Sequence, residues 1–177
     1  GSLPVLVNSA GCGALMKDYG KLLADDPDWA HRAQDFATRS QDITEFLAAL
    51  PLKPPEGNLA QDAPLRVAYD DPCHLLHAQK VREAPRQVLA SVPGLELVPL
   101  PEADWCCGSA GSYSLTHPKT SAHVLERKMK HIGDTGVSIV VTGNPGCLLQ
   151  IRLGAQRSGQ KLEVRHPVEL LARAYRG

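Results

Sequence analysis

The sequence predicts an α/β fold in which a parallel sheet is flanked by helices, in layers like those of a Rossmann fold. The first observation is that apolar runs of four to seven residues alternate with longer helix-like stretches. The second is that these runs are rich in Val, Leu and Ile, as expected for strands buried on both faces. With 177 residues, about 43% of them hydrophobic, the chain is long enough for one good-sized core or two small ones.

The apolar runs predict five strands, which in chain order are Pro4–Asn8, Leu65–Tyr69, Leu95–Leu100, Ser138–Thr142 and Leu162–Arg165. The segments between them predict seven helices, namely Ala14–Leu23, Asp28–Ala49, Leu75–Gln79, Pro85–Ser91, Lys119–Ile132, Leu148–Ser158 and Pro167–Tyr175. Because helices separate the strands, we expect neighbouring strands to pair in parallel through right-handed connections.

Residues 51–64 interrupt this alternation. The segment contains four prolines, at positions 51, 54, 55 and 64, together with Gly57 and Asn58. A composition rich in proline and glycine is typical of a linker. We therefore expect residues 1–50 and 65–177 to form separate units that residues 51–64 connect.

Two internal echoes relate these units to each other. Val5–Cys12 and Val140–Cys147 both read as a strand, a small polar turn, Gly-Cys and a helix. Ile43–Ala48 resembles Pro167–Ala172, and the echoes occur in the same order in each unit. Each echo is weak alone, but the shared order predicts two related units. The second would be complete from Leu65 onward, and the first would be represented only by its C-terminal part.

The beginning of the sequence has the character of a fragment. Gly1–Ser2 looks like an expression remnant, and the apolar run Leu3–Val7 follows it with no lead-in. We therefore expect the printed sequence to be part of a longer protein.

Charge and cysteine usage narrow the classes of function. The chain has 19 acidic and 19 basic residues, so nothing predicts a nucleic-acid or anionic membrane surface. No apolar run reaches the ~18 residues of a membrane-spanning helix.

Five cysteines, an odd number with no recognisable secretion signal, predict a reduced, cytoplasmic setting rather than a disulfide framework. A function at the inner face of the membrane would require another protein to hold the chain there.

Four of the five cysteines follow predicted strands of the second unit. They come after its first, second and third strands, as Cys73, then Cys106 and Cys107, then Cys147. In an open parallel sheet the loops after the strands gather at one edge, where such folds bind ligands. The sequence therefore predicts one site of converging thiols. The alternatives are separate, buried small side chains and a strained disulfide between Cys106 and Cys107.

Four thiolates suit either zinc or an iron–sulfur cluster. Zinc sites favour Cys-x-x-Cys pairs, which this chain lacks. Adjacent cysteines reach a single centre only if the backbone turns sharply, and Gly108 permits such a turn. A cluster spreads its ligand positions more widely than one ion does. The pattern therefore favours a cluster, with zinc as the alternative.

The loop Gly108–Ser112, which includes Ser109 and Gly111, consists of small residues. Such residues let backbone N–H groups approach a negative group, either a sulfide-rich cluster or a phosphate. The loop has no lysine and no Walker spacing, so a phosphate loop is weakly supported. A tight turn without a ligand is the simpler alternative.

The histidines are less informative. His74 and His77 flank Cys73 at helical spacing, and they are candidates for groups around a metal, for ligands, or for the polar side of a helix. His166 opens the last predicted helix, where capping is the ordinary role. No Ser/His/Asp arrangement and no carboxylate pair stands out, so no catalytic residue is predicted.

Three motifs resemble those of a known family. They are Asp71-Pro72-Cys73-His74, Cys106-Cys107-Gly108 and Gly143-Asn144-Pro145-Gly146-Cys147. Together they resemble the cysteine-rich CCG domain family, whose pattern is one Cys, a Cys-Cys-Gly and a Cys-x-x-Cys. That family includes a cysteine-rich component of heterodisulfide reductase and iron–sulfur subunits of several oxidoreductases. Within it, the motifs are most similar to those of glycolate oxidase iron–sulfur subunits.

The resemblance implies a cytoplasmic electron-transfer subunit with a cluster, and it assigns the cysteine ligands Cys73, Cys106, Cys107 and Cys147. It places other groups around the cluster, namely Gly108, Ser109, Gly111, Asn144, His74 and His77, and it makes Cys12 a ligand left over from the first unit.

A complex of this type would oxidise glycolate to glyoxylate on flavin-containing subunits and pass electrons toward quinone or another acceptor. It would also include a ferredoxin-like N-terminal region that this sequence lacks, so the chain alone should be inactive. Related complexes that act on lactate, glycerol 3-phosphate or a heterodisulfide are the alternative.

One position departs from the family pattern. Asn144 stands where the first Cys of Cys-x-x-Cys is expected, and Ser9 holds the equivalent place in the first unit. Four cysteines instead of five disfavour the enlarged cluster associated with heterodisulfide reductase relatives. Four thiolates suffice for a [4Fe–4S] cluster, and also for zinc. Asn144 is then expected to form a hydrogen bond to a cluster sulfur or to contact a ligand.

Overall fold

The computed structural model describes residues 2–177; Gly1, half of the pair interpreted as an expression remnant, lies outside them. The strands of the described part are β1 Val5–Val7, β2 Ser40–Asp42, β3 Leu65–Asp70, β4 Leu95–Val98, β5 Ile139–Thr142 and β6 Glu163–Arg165. β1 and β2 form a two-stranded parallel sheet, and the other four form a parallel sheet in the order β4-β3-β5-β6. The prediction of an α/β fold with parallel strands is confirmed.

Helices connect the strands. They are α1 Ala10–Leu22, α2 Ala30–Arg39, α3 Ile43–Ala48, α4 Glu83–Ala90, α5 Tyr113–Thr116, α6 Pro118–Asp134, α7 Pro145–Ser158 and α8 Pro167–Arg176. A single turn of π-helix, His74–Ala78, follows β3 where a short α-helix was predicted. The four-residue helix α5 was not predicted. None of the helices in residues 2–177 is both long enough and apolar enough to cross a bilayer.

The prediction of one helix over Asp28–Ala49 is wrong, because a strand divides it. The middle residues, β2, pair in parallel with β1, so that Val5 lies opposite Ser40 and Val7 opposite Asp42. A new helix then begins with Asp42 as its N-cap. The Asp42 side chain accepts from Thr44 N at 2.9 Å, and the Glu45 side chain accepts from Asp42 N at 2.9 Å.

The central strands are covered on both faces, as their composition predicted. On one face, side chains of α6 and α7 pack on β3, β5 and β6 in a core that includes Leu125, Met129, Ile132, Ile151 and Val140. On the other face, α4 and α8 pack through Leu89 and Leu170 against Val67, Tyr69 and Val141. All four residues of β5 are buried. The ends of these strands are therefore fixed by packing on both sides of the sheet.

Residues 51–64 contain no helix or strand, and they lie against the larger sheet's layer. Gly57 N donates to Ala174 O at 3.0 Å, and Leu59 N donates to Pro93 O at 2.9 Å. The Leu59 side chain packs beside the buried residues of β3, α4 and α8. The segment expected to be a linker is thus held along the surface of the second unit.

The two internal echoes correspond to similar structure. β1–α1 and β5–α7 are each a strand followed by a helix, and each is joined in parallel to a later strand, β2 and β6 respectively. Both later strands lead directly to a helix with a capping box, at Asp42 and at His166. The beginning of α1 meets the end of β5, where Ala10 N donates to Gly143 O at 3.1 Å.

Candidate metal centre

The loops that carry four cysteines leave the same edge of the four-stranded sheet. β3 leads through Asp71 and Pro72 to Cys73, and β5 leads to Cys147 in the first turn of α7. The chain after β4 reaches Cys106 and Cys107. Because β4, β3 and β5 are neighbours in a parallel sheet, their carboxyl ends lie side by side.

The four thiols contact one another in sequence across the site. Cys107 Sγ lies 3.0 Å from Cys147 Sγ, and the Cys106 thiol interacts with those of both Cys107 and Cys73. Cys107 and Cys147 are buried, whereas Cys73 and Cys106 are half-buried. All are free thiols, so the alternative of a disulfide between the adjacent cysteines does not occur in this structure. The fifth cysteine, Cys12, is exposed in the first turn of α1.

Backbone and side-chain N–H groups point at these sulfurs. Gly108 N donates to Cys106 Sγ at 3.3 Å, and Ser109 N donates to Cys107. Asn144 Nδ2 donates to Cys147 Sγ at 3.5 Å. Hydrogen bonds of this kind stabilise thiolate and sulfide charge, and they adjust the reduction potentials of iron–sulfur clusters.

Gly108 makes the sharp turn that the adjacent cysteines require. Its φ is 85°, in the left-handed region, and a Cβ there would lie 2.5 Å from Ser121 O. The Ser121 hydroxyl donates to Gly108 O at 2.7 Å and accepts from Gln150 Nε2 at 2.9 Å, so α6 and α7 both hold the turn. Gly111 also has a positive φ, of 59°, but open space surrounds it.

The contacts among the thiols favour one thiolate. Hydrogen bonds from Cys107 and Cys73, followed by that from Gly108 N, lower the pKa of Cys106 to about 2. The pKa of Cys73 is raised, first by its hydrogen bond to Cys106 and then by burial. The pKa of Cys107 is raised by hydrogen bonds to Cys106 and Cys147 and by burial. Thiolates are the form in which cysteine binds metals.

The donor arrangement differs from that of a single-ion site. Among residues 2–177, no group of three or more His, Cys, Asp or Glu side chains is disposed around one ion position. The thiols instead interact in pairs, Cys73 with Cys106, Cys106 with Cys107, and Cys107 with Cys147. Thiol-only chemistry and N–H donors aimed at sulfur together fit an iron–sulfur cluster.

Asn144 connects the site to the N-terminal unit. It is the N-cap of α7, and its Oδ1 accepts from Gly11 N at 3.2 Å while its Nδ2 faces Cys147. Gln79 Nε2 donates to Ala10 O at 2.8 Å from the other side. The first turn of α1 therefore forms a wall beside the thiols.

The histidines near Cys73 lie at the margin of the site. His74 is exposed, and its Nδ1 lies 3.7 Å from Cys73 Sγ. His77 is exposed, and no hydrogen bond in the described part of the chain joins it to a thiol. His166 caps α8, as expected, by accepting from Val168 N at 3.3 Å.

Sequence reasoning missed a buried charge network behind the thiols. Lys128 of α6 is fully buried, and its Nζ lies 2.8 Å from Asp70 Oδ1 at the end of β3. The same Nζ donates to Glu102 O and Ala103 O, each at 2.9 Å, and Asp70 Oδ2 accepts from Thr142 Oγ1 at 2.9 Å. The sequence contained one sign of this network, because Lys128 falls within the apolar stripe that Leu125, Met129 and Ile132 form along α6.

A second ion pair holds the turn that leads to Cys73. Arg86 donates to both carboxylate oxygens of Asp71, at 2.8 and 2.6 Å, and its guanidinium lies 5.0 Å above the Tyr69 ring. Asp71 N also donates to Ala103 O at 3.0 Å. Burial, followed by the charges of Asp71 and Asp70, holds the pKa of Tyr69 well above its ordinary value.

Comparisons with known proteins agree with this site. The model of the CCG cysteine-rich domain matches residues 67–152, a range that contains all four converging cysteines. A probable glycolate oxidase iron-sulfur subunit of Bacillus subtilis is 40% identical over 96% of this chain and 38% of its own length. The glycolate oxidase iron-sulfur subunit of Escherichia coli is 33% identical over 98% of this chain and 40% of its own length. Lactate utilization protein A of Shouchella clausii is 33% identical over 94% of this chain and 69% of its own length. The chain thus spans well under half of these glycolate oxidase subunits.

Proposed function

Because the chain belongs to the cysteine-rich CCG domain family, we propose that it is an iron–sulfur electron-transfer module with ligands Cys73, Cys106, Cys107 and Cys147. The observation that supports this most strongly is the contact of four thiols from three neighbouring strand ends. Relatives named as iron-sulfur subunits support the same cofactor.

The proposed cofactor is a [4Fe–4S] cluster, which accepts and releases single electrons when bound. Four thiolates are the number that such a cluster requires. The N–H groups of Gly108 and Ser109 and the Asn144 amide would stabilise the sulfur charge that increases on reduction. His74 would lie beside Cys73, and Gly111 would serve the turn of the loop. A zinc site is the alternative, although among residues 2–177 no group of three or more metal-binding side chains is arranged around one ion position.

The wider role we propose is in a glycolate oxidase. Glycolate would be oxidised to glyoxylate on separate flavin-containing subunits, and electrons would pass through this chain toward quinone or another acceptor. The chain by itself would not oxidise glycolate, because that step would take place on the flavin-containing subunits. We place the complex in the cytoplasm or at the inner face of the membrane.

A lactate-linked complex is the second candidate. Lactate utilization protein A matches this chain over 69% of its own length, more of the relative than the glycolate oxidase subunits provide. The proposed cluster chemistry is the same for both substrates, since the substrate would be bound by another subunit. Electron transfer from the flavin subunit of each complex would distinguish the two.

The proposed organisation follows the repeat. Residues 1–50 would be the C-terminal part of a first CCG unit, residues 51–64 the connection and residues 65–177 the second unit. Support comes from the two parallel strand pairs, each followed by a helix with a capping box. Cys12 would then be a remnant ligand of the first unit, apart from the four thiols that hold the proposed cluster.

Spectroscopy of the anaerobically purified chain tests the proposed function. A bound cluster predicts a brown protein whose visible absorption decreases on reduction and whose reduced form gives the electron paramagnetic resonance signal of a [4Fe–4S] centre. A colourless protein after anaerobic reconstitution with iron and sulfide would overturn the proposal.

A further inference from the structure

Lys128 and Asp70 form a buried ion pair at the junction of the three cysteine-bearing loops. We propose that this pair positions those loops and sets the charge next to the cluster. This inference rests on the proposed function, because it concerns the potential of the cluster. It gives a role to two residues that contact none of the four thiols directly.

The lysine holds the loop that precedes Cys106. Its Nζ donates to the carbonyl oxygens of Glu102 and Ala103 and lies 2.8 Å from Asp70 Oδ1. Two hydrogen bonds to carbonyl oxygens and one ion pair thus surround the ammonium group. The side chain is fully buried, so water supplies none of these contacts. The loop is thereby fixed to the end of β3.

The aspartate joins the remaining two loops. Asp70 is the last residue of β3, three residues before Cys73, and it is almost fully buried. Its second carboxylate oxygen accepts from Thr142 Oγ1, at the end of β5 and five residues before Cys147. One ion pair therefore contacts every segment that supplies a proposed ligand.

Stability alone does not account for this pair. Replacing a buried ion pair by apolar residues of similar volume is often neutral or stabilising, because desolvation of two charges offsets their attraction. Position 128 lies in the apolar stripe of α6, where Leu or Met would pack without that cost. A charged pair at this place is better explained by what it organises.

The two charges of the pair are expected to have opposite effects on the reduction potential of the cluster. The Lys128 ammonium lies against the carbonyl oxygens of Glu102 and Ala103, four and three residues before Cys106. A fixed positive charge near a cluster favours its reduced form, and a fixed negative charge disfavours it. Removing the lysine charge should therefore make reduction harder, and removing the aspartate charge should make it easier.

The test uses the cluster-loaded chain and the variants K128M, D70N and the double variant D70N/K128M. We expect the reduction potential to shift to more negative values in K128M, to more positive values in D70N, and to return toward the wild-type value in the double variant. Each single variant should also retain less iron on dilution than the double variant does. The matched control is K130M, on the same helix, where Lys130 forms an exposed ion pair with Asp134.

The signs of the shifts separate an electrostatic role from a structural one. A purely structural role would lower stability in both single variants without opposite shifts of potential, and that result would overturn the inference. Unchanged potentials in all variants would overturn it as well. If the wild-type chain itself binds no cluster, the proposed function fails instead, so the two failures are distinguishable.

Discussion

The sulfur atoms of Cys107 and Cys147 lie 3.0 Å apart, although the two residues are 40 positions apart in the sequence. One follows the turn after β4 and the other lies in the first turn of α7. Both are buried, at 4% and 3% exposure, so their meeting depends on the packing of the whole sheet. This contact joins the Cys-Cys-Gly motif to the last cysteine of the family pattern.

Replacement of Cys107 by serine should remove one of the four proposed cysteine ligands of the cluster. We expect the C107S variant to retain iron at least ~10-fold more weakly, because groups in contact with metal ligands already contribute 10- to 100-fold. Iron content after gel filtration of the reconstituted protein measures the effect. C12S is the matched control and should keep wild-type iron, since Cys12 is exposed and outside the contacting thiols. Equal loss in both variants would contradict the assignment.

Replacement of Gly108 by alanine should strain the loop that carries both adjacent cysteines. The added methyl would lie 2.5 Å from a backbone oxygen of α6, and the residue would have to keep a φ of 85°. G111A is the control, because its φ is also positive but nothing lies within 4 Å. We expect G111A to lower the free energy of unfolding by about 1–2 kcal/mol, and G108A to lower it further and to reduce bound iron. Similar results for both would show that the turn at Gly108 tolerates a side chain.

Replacement of Asn144 should separate its two contacts. N144A removes the acceptor for Gly11 N and the donor to Cys147 Sγ, whereas N144D keeps the acceptor but replaces the donor with a carboxylate. We expect N144A to lower the free energy of unfolding by about 1 kcal/mol, because the Gly11 N–H loses its partner, and N144D to preserve it. Both variants should shift the reduction potential of the cluster to more negative values, and N144D should shift it more. An unchanged potential in N144D would show that the amide does not influence the cluster.

The stability of the chain should fall at mildly acidic pH because of His166. Burial lowers the pKa of His166 below its ordinary value of 6.5, although the charges of Asp42 and Glu169 oppose the shift. The unfolded chain therefore binds a proton as the pH falls through 6.5, while the folded chain does so only at lower pH. The folded state has its full stability above pH 6.5 and loses it as the pH falls toward the lowered pKa.

H166N provides the comparison for this pH dependence. Asparagine can still accept from Val168 N as an N-cap, but it does not titrate. We expect the free energy of unfolding of the metal-free chain to decrease less steeply between pH 7.5 and 5.5 in H166N than in the wild type, as measured by urea denaturation. H123N, which alters an exposed histidine of α6, should retain the wild-type slope. A slope in H166N as steep as that of the wild type would contradict the assignment to His166.

The sequence predicted the parts of the fold that depend on long apolar runs. β3 and β5 lie within a residue of their predicted bounds, because most of their residues are apolar and buried between helices on the two faces of the sheet. β2 was missed because Ser40, Gln41 and Asp42 are all polar, and only pairing with β1 makes them a strand. The sequence of residues 40–42 taken alone does not indicate that they pair with β1.

The candidate site, like the fold, was predicted from the sequence only in part. The convergence of the cysteine loops followed from their positions after parallel strands. The predicted helix began only at Leu148, however, whereas α7 begins at Pro145 and includes Cys147. The Lys128–Asp70 pair was not foreseen, since their contact joins residues far apart in the chain. Asp42 and His166, the N-caps just before the two echoed helices, also interact electrostatically, and the sequence echoes do not indicate that interaction.

Metal and sulfide analysis of anaerobically prepared protein tests whether four cysteines of this chain hold an iron–sulfur cluster. We expect about four iron atoms and about four acid-labile sulfides per chain, with both lost together in C107S. One zinc atom per chain with no sulfide would contradict it.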